Sequence, residues 1–444
     1  MGDHGALDKR LAQIVQTDGA ELASLAVVAS TENELIYQGY FGSRYIDAEN
    51  PENNFPVNAD TKFRIASISK SVATLGAMQL VERRLLDLDR DVSDYLRFEL
   101  RNPNYPDIAI TCRMLVSHTS SIRDASVYSI PLPYRLRDFF LPDGAFYEDG
   151  AHLAASEAGV DPIPGQYFCY CNLNFGVLGT VMEAVSGERF DKYMAAHVLQ
   201  PLGIDGGYNV HLISDAGFAN IAALYRKGID ETNWSPGGPW IPQVDDYRGV
   251  RPVVPVRIEN PDTGNTMTTG STINLDDYTP GTNGTLFSPQ GGLRISAPDL
   301  AKIMQVLMNG GRYADVVIVQ PKTIEKMLSV QWAYDGKTNN GDTYDGSMRA
   351  WGLGLQRTTA SGGPAWGDRI VASDDIRLWG HGGNAYGLLS GMWFDPEASA
   401  GLIFMIGGLG ANPDEHTGVY SSFARWEEQI MTAVYEEVLK PHFQ

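Results

Sequence analysis

The sequence predicts an α+β fold: an antiparallel sheet flanked by helices, with a mostly helical lobe inserted in its middle. Three observations carry that expectation. Strand-like runs stand near both ends of the chain, at Leu25–Ser30 and Leu35–Tyr40, then at Ile376–Trp379, Leu388–Phe394 and Gly401–Ile406. Apolar residues at helical spacing accompany them at 6–16, from about Ser67 to Glu82, and at 297–310 and 418–439. Between about 91 and 285 the texture changes to helical patches separated by long Pro/Gly/Asn/Asp-rich stretches. The expected division is one discontinuous α/β lobe, residues 1–90 with 286–444, and a second, mostly helical lobe with long loops, residues 91–285.

Taken in order, residues 6–16 form an amphipathic helix, and the first two strands make a hairpin around Thr31-Glu32-Asn33. The apolar run Leu22–Ala29 follows Asp18 and Glu21 and lacks a basic flank, which makes it a strand and not the core of a signal peptide. Phe63 and Ile65 begin extended, and a helix starts near Ser67 with Ile68, Val72, Leu75, Met78, Leu80 and Val81 along one stripe. Leu85-Leu86-Asp87-Leu88-Asp89 closes this first region. Helical patches follow at Ile110–Ser117, Phe175–Val185 and Phe190–Leu199. The longest loop-like stretch, 228–286, holds Trp234-Ser235-Pro236-Gly237-Gly238-Pro239-Trp240 and Thr263-Gly264-Asn265; loops of that length commonly serve as functional walls or lids. Ser296 as N-cap, Pro298 in the first turn and Gly310-Gly311 as a stop delimit the helix at 297–310. The late strands read as a meander, and 418–439 as a final amphipathic helix.

Composition narrows the partners. A net charge of −20 and a pI near 4.7 repel nucleic acid and anionic membrane surfaces, leaving a small-molecule substrate as the expected partner, with oligomeric state open. Hydrophobic content of 43% and charged content of 20% are ordinary for a soluble globular protein. The three cysteines, Cys112, Cys169 and Cys171, are odd in number and show no metal-ligand spacing, so neither a disulfide framework nor a metal or other cofactor is expected. Free thiols favour a reducing compartment: cytoplasmic as the chain stands, periplasmic or secreted if a signal peptide has been removed. No apolar run approaches the ~18 residues of a membrane span.

Chemistry enters at Ser67. Lys70 lies one helical turn on, where its ammonium reaches the Ser67 hydroxyl. A serine at a helix start also has free backbone N–H groups and the positive end of the helix dipole beside it. A serine hydroxyl needs such surroundings to become a nucleophile. Taken alone, the pair also suits a plain N-cap with Lys70 in water. Two further motifs decide the matter: Tyr170-Cys171-Asn172 after Pro164-Gly165, and His381-Gly382-Gly383 at the end of a strand, where glycines permit close approach.

Ser67-x-x-Lys70, Tyr170-x-Asn172 and His381-Gly382-Gly383, in that order, resemble the class C β-lactamase superfamily of β-lactamases, DD-peptidases, D-aminopeptidases, D-amino-acid amidases and carboxylesterases. Leu115-Val116-Ser117-His118-Thr119-Ser120, Gly291-Gly292-Leu293 and Ser296-Ala297-Pro298-Asp299-Leu300 match as well, so the similarity covers most of residues 6–440. The resemblance implies a β-lactamase/transpeptidase-like fold and a serine hydrolase working through an acyl-enzyme. In that scheme Ser67 attacks a carbonyl, Lys70 shares its proton, and Tyr170 is the general base or relay. Asn172 donates its amide to substrate and to Lys70, His381 and Gly383 border the substrate, and the N–H groups of Ser67 and Asn384 form the oxyanion hole.

Three departures from the family pattern stand out. His381 replaces the usual lysine of the third motif, Ser121 replaces a glycine after Ser120, and Cys171 replaces a serine. A neutral imidazole holds a substrate carboxylate poorly, which points away from lactams and towards a small amide or peptide, D-amino-acid derivatives included. A carboxylesterase or acyltransferase on short acyl esters is the alternative, and a penicillin-recognising protein that acylates without turnover the weaker one. With an ordinary histidine at 381, activity should rise through about pH 6.5. Gly-x-Ser-x-Gly and zinc-hydrolase motifs are absent, and Trp234, Trp240, Trp332 and Trp351 read as core.

Overall fold

Apolar segments from the two chain ends assemble into one sheet. The structure, a computed structural model, describes residues 4–157, 159–230, 232–252 and 275–443. In it nine strands form the main sheet: β1 Ser24–Thr31, β2 Leu35–Tyr45, β3 Phe55–Pro56, β4 Trp332–Ala333, β5 Ala350–Trp351, β6 Gln356–Arg357, β7 Trp379–Ala385, β8 Leu388–Asp395 and β9 Ala400–Ile406. Their order is β4-β5-β6-β7-β8-β9-β1-β2-β3, and every neighbouring pair is antiparallel. The β1–β9 pairing, from Leu25↔Ile406 to Thr31↔Ala400, ties the two ends of the chain together.

Helices cover both faces, which is why β1 is apolar almost throughout. Leu25, Val27 and Ala29 share a core with Leu7 and Leu11 of helix α1 (Gly5–Val15) and with Trp426 and Ile430 of a C-terminal helix. Ala26 and Val28 belong to the opposite core, with helix α2 (Ile68–Glu82), helix α3 (Leu173–Ser186) and helix α4 (Ala297–Met308). The α+β expectation and the meander of late strands therefore hold. The first late strand is displaced: it begins at Trp379 and runs through His381-Gly382-Gly383, so the motif lies inside β7 and not at a strand end.

Two helices also differ from expectation. Residues 68–78 of α2 are buried on every side, not along one stripe, because α2 is enclosed between the sheet and α3. The last helix, α5 (Arg425–Val434), starts seven residues later than 418. The carboxylate of Glu428 accepts the Val419 and Tyr420 N–H groups and the Ser421 hydroxyl, and so holds the preceding residues in a turn.

Within 91–285 the helices Cys112–Val116, α3, Phe190–Met194 and Asp215–Ala219 alternate with irregular chain. Part of the long loop stretch is strand: Ile241–Val244 pairs with Leu224–Arg226, which runs parallel to Gly408–Leu409. Residues 253–274, including Thr263-Gly264-Asn265, lie outside the described residues. All three cysteines are free. Trp351 and Trp332 are core residues as expected, whereas Trp234 and Trp240 are only partly buried, each at the edge of an apolar cluster. Among the described residues no helix is long and apolar enough to cross a membrane.

Candidate active site

The strand Lys62–Arg64 pairs with Arg294–Ser296 and delivers the chain to the head of α2. Ala66 makes the turn with φ of 46°, a strained conformation for a residue with a Cβ, which aims Ser67 out of the strand direction. Ser67 occupies the N-cap position, yet its side chain makes no capping hydrogen bond. Instead Lys70 Nζ donates to Ser67 Oγ at 3.0 Å. The simple cap reading therefore fails on geometry.

Lys70 is fully buried, and a buried ammonium must be surrounded by acceptors. Besides Ser67, it donates to Asn172 Oδ1 at 2.8 Å and to the Gln290 carbonyl at 3.0 Å. It also lies 4.8 Å from the centroid of the Tyr170 ring. Asn172, at the head of α3, thus accepts from Lys70, whereas the sequence suggested that it donates. The reversal has a clear cause: Asn172 Nδ2 donates to Asp124 Oδ2 at 2.9 Å, leaving Oδ1 for the ammonium. Asp124 further accepts the Leu173 N–H at 2.8 Å and the Cys171 thiol at 3.2 Å. Cys171 is buried in that contact, and burial beside Asp124 pushes its thiol well up, so it is no part of a proton relay.

Tyr170 sits in an aromatic box. The His118 ring stacks on it with centroids 4.4 Å apart, and Trp351 and His381 meet it edge-on at 5.9 and 6.0 Å. His118 Nδ1 accepts the Cys171 N–H at 3.0 Å, which puts the neutral ring's proton on Nε2. Burial first, then the Lys70 charge, holds the His118 imidazole well below its usual range. His118 and Ser121 have φ of 56° and 66°, so the serine in place of glycine occupies the left-handed conformation that glycine tolerates best.

His381 is 2% exposed, and burial followed by the Lys70 charge lowers its pKa to about 3. The expected rise of activity near pH 6.5 is therefore not a property of His381, which stays neutral across that range. Its Nδ1 lies 2.6 Å from the Gly382 carbonyl and so carries the proton; Nε2 is left as a buried acceptor with no protein partner among the described residues. Gly383 is required on steric grounds. A Cβ there would stand 2.6 Å from the Ile65 carbonyl oxygen and 3.2 Å from the Ser67 nitrogen. That closeness places β7 directly beside the Ser67 backbone N–H.

Ser67, Tyr170, Asn172, His381, Gly383 and Asn384 all line one cleft of about 590 Å³, with Lys70 bonded to Ser67 from within. All seven sequence-predicted residues thus come together. Four contributors carried no sequence signal: Asp124, the Gln290 carbonyl, Glu427, and Tyr344, whose hydroxyl accepts the Tyr170 N–H at 3.0 Å. Among the described residues no group of three or more His, Cys, Asp or Glu side chains is placed to hold a metal.

Comparison with known proteins gives the family and the fold. Residues 11–421 match the sequence model of the family described as Beta-lactamase. The ML-236A carboxylate methylbutanoyltransferase mlcH of Penicillium citrinum is 24% identical over 225 residues, 46% of this chain and 50% of its own length. Esterase EstB of Burkholderia gladioli is 27% identical over 255 residues, 54% of this chain and 59% of its own. The chain thus spans about half the length of the curated relatives it matches. In fold, the D-amino acid amidase of Ochrobactrum anthropi SV3, solved with L-phenylalanine amide, superposes with a TM-score of 0.60, covering 99% of this chain and 97% of its own at 17% identity.

Proposed function

Because the chain belongs to the beta-lactamase family, we propose that it is a serine hydrolase cleaving a small amide or peptide through a covalent acyl-enzyme on Ser67. The observation that carries this is the Lys70 ammonium, buried and bonded at once to Ser67 Oγ and Asn172 Oδ1. We take residues 1–90 with 286–444 and residues 91–285 as two lobes, and the cleft draws its lining from both ranges.

In the proposed sequence Ser67 Oγ attacks the carbonyl carbon while its proton passes to Tyr170 as the phenolate, a form that the nearby Lys70 ammonium stabilises. Both imidazoles are held neutral by burial, so neither competes as the charged partner of the developing oxyanion. The oxyanion is received by the N–H groups of Ser67 and Asn384, donors preorganised by the Ala66–Ser67 turn and by β7. The Tyr170 phenol gives that proton to the leaving group; in deacylation the phenolate takes a proton from the attacking water and passes it to Ser67 Oγ as the acyl bond breaks. Asn172, fixed by Asp124, keeps the ammonium aimed at the nucleophile.

A carboxylesterase or acyltransferase acting on short acyl esters is the second reading. It is favoured by the relatives EstB and mlcH, whose names describe an esterase and an acyl transferase. Both readings share the same covalent step. Intact-protein mass spectrometry after a fluorophosphonate, with mapping of the adduct, tests that step. The adduct is expected on Ser67, and Ser67→Ala should abolish both labelling and turnover of p-nitrophenyl acetate with the fold retained. Labelling elsewhere, or an active variant, refutes the assignment. Comparing turnover of amino-acid anilides with that of p-nitrophenyl esters then separates amidase from esterase.

A further inference from the structure

The cleft does not end at the reaction centre. Side chains alternate across β7: His381 and Ala385 lie opposite Met392 and Leu388, which belong to the core that contains α2. Gly382 and Asn384 stand on the other face, with Asn384 opposite Leu389 of the α1/α5 core. A Cβ on Gly382 would meet nothing nearer than 3.8 Å, so this face of the strand is open. Leu389, Phe423 and Glu427 line the same cleft as Ser67 there.

Glu427, on the first turn of α5, is 6% exposed. Its Oε2 accepts the Ala424 N–H at 2.9 Å. Among the described residues no hydrogen bond occupies Oε1, and no lysine or arginine forms an ion pair with this side chain. Burial, reinforced by the neighbouring Glu428, pushes its pKa up to about 8. A buried carboxyl that faces a ligand cleft without a cation is expensive unless a ligand supplies the partner. Among the described residues two further acceptors of cleft-lining side chains lack a protein partner, His381 Nε2 and Gln290 Oε1, and likewise ask for donors. The guanidinium of Arg64, which also lines the cleft, is taken up by the Gly291 carbonyl at 3.3 Å and the Tyr386 ring at 5.1 Å. The net charge of −20 biases encounter towards cationic molecules.

We propose that Glu427 is a specificity-determining residue that receives the free primary amine of an amino-acyl amide or ester on the face of β7 opposite Ser67. On binding, the substrate's ammonium favours the carboxylate form, and the carboxyl proton leaves to solvent. This assignment rests on the serine-hydrolase reading, and its test separates the two.

The experiment measures kcat and KM for the p-nitroanilides of D- and L-phenylalanine with a free amine and for their N-acetyl counterparts. If the anilides are not cleaved, the corresponding phenylalanine amides serve as inhibitors of p-nitrophenyl acetate turnover, and the same ratio is read from Ki. The wild-type enzyme should favour the free amine at least tenfold. Glu427→Gln, which keeps an acceptor for the Ala424 N–H, should reduce that ratio at least tenfold, mainly through KM or Ki. A wild-type preference for the N-acetyl form, which needs no variant to observe, overturns the proposal; so does a ratio that survives in a Glu427→Gln protein with a cooperative melt. Loss of the nucleophile reading would appear separately, as turnover of p-nitrophenyl acetate persisting in Ser67→Ala.

Discussion

Gly383→Ala perturbs the place where β7 packs against the turn that carries Ser67, the proposed nucleophile. The added Cβ would lie 2.6 Å from the Ile65 carbonyl oxygen and 2.5 Å from Ser390 Oγ. The hydroxyl can rotate away, but it then gives up its 3.1 Å hydrogen bond to the same Ile65 carbonyl. The carbonyl cannot rotate. Carbon–oxygen contacts settle at roughly 3.3 Å or more, so backbone must move by about 0.7 Å. The movement separates β7 from the Ala66–Ser67 turn, the distance that in the proposed scheme sets the two N–H groups around a developing oxyanion. Overpacking of this kind costs about 1–3 kcal/mol of stability. A misplacement approaching 1 Å costs up to about 100-fold in rate. Expected, then, is a kcat for p-nitrophenyl acetate reduced roughly 10- to 100-fold, with fluorophosphonate labelling of Ser67 slowed in parallel and a cooperative melt at a lower temperature. Gly382→Ala is the control, since its Cβ finds nothing nearer than 3.8 Å, and it should melt at the wild-type temperature. Wild-type labelling and turnover in a natively folded Gly383→Ala protein would refute the idea that this strand-to-turn distance positions the oxyanion donors.

The remaining predictions concern charge. Because the pKa of His381 is lowered to about 3 by burial, kcat/KM between pH 5 and 8 should contain no limb that His381→Asn removes; disappearance of such a limb in the variant would contradict the burial argument. The same depression gives the folded state fewer protons than the unfolded chain between about pH 3 and ~6.5, so this residue's contribution is present above ~6.5 and lost as pH falls through that window. Glu427 runs the other way. Its carboxyl, raised to about 8, contributes stability below its unfolded value that is lost as pH rises through 8, so Glu427→Gln should gain melting temperature relative to wild type between pH 5 and 9, and a constant difference would count against it. Asp124→Asn presents an amide to three donors, strands at least one of them at about 1–3 kcal/mol, and should lower kcat about tenfold by freeing Asn172; an unchanged kcat would remove Asp124 from the positioning of Lys70.

What the sequence revealed and what it hid divide along physical lines. Ser67 and Lys70 are readable because one helical turn fixes their relation, and the geometry at 3.0 Å is what that spacing promises. The hairpin and the last two strands are readable because their side chains follow a local period. β7 was misplaced because its glycines carry no hydrophobic signal; their value lies in the absent Cβ, which only the neighbouring Ile65 and Ser67 reveal. Asp124 escaped notice because its partners Asn172 and Leu173 are 48 and 49 residues away and no local pattern links them. The Gln290 carbonyl escaped for a stronger reason: a backbone acceptor has no residue identity to read. The low basicity of His381 was equally hidden, since its cause is enclosure beside Lys70 and not the type of residue.

These hidden contributors have a common function in the proposed scheme: they hold the Lys70 ammonium beside Ser67 and Tyr170 without a second cation among the rings packed on Tyr170. Three neutral oxygens hold the ammonium: a hydroxyl, an amide carbonyl and a backbone carbonyl. The carboxylate of Asp124 acts one residue removed, through the Asn172 amide, and so orients the acceptor without itself meeting the ammonium through that contact. Had an aspartate stood at 172, its full negative charge would offset the ammonium and raise the pKa of the Tyr170 phenol that has to take the Ser67 proton. Neutral acceptors leave the ammonium's charge available to the phenolate. The same reasoning explains two uncharged imidazoles around Tyr170, since a second cation there would compete with Lys70 for the phenol and for the oxyanion. An Asn172→Asp enzyme should therefore retain the fold but need a higher pH to reach full activity, the acid limb of its pH–rate profile moving up relative to wild type, and an unshifted profile would show that the neutrality of this acceptor does not matter.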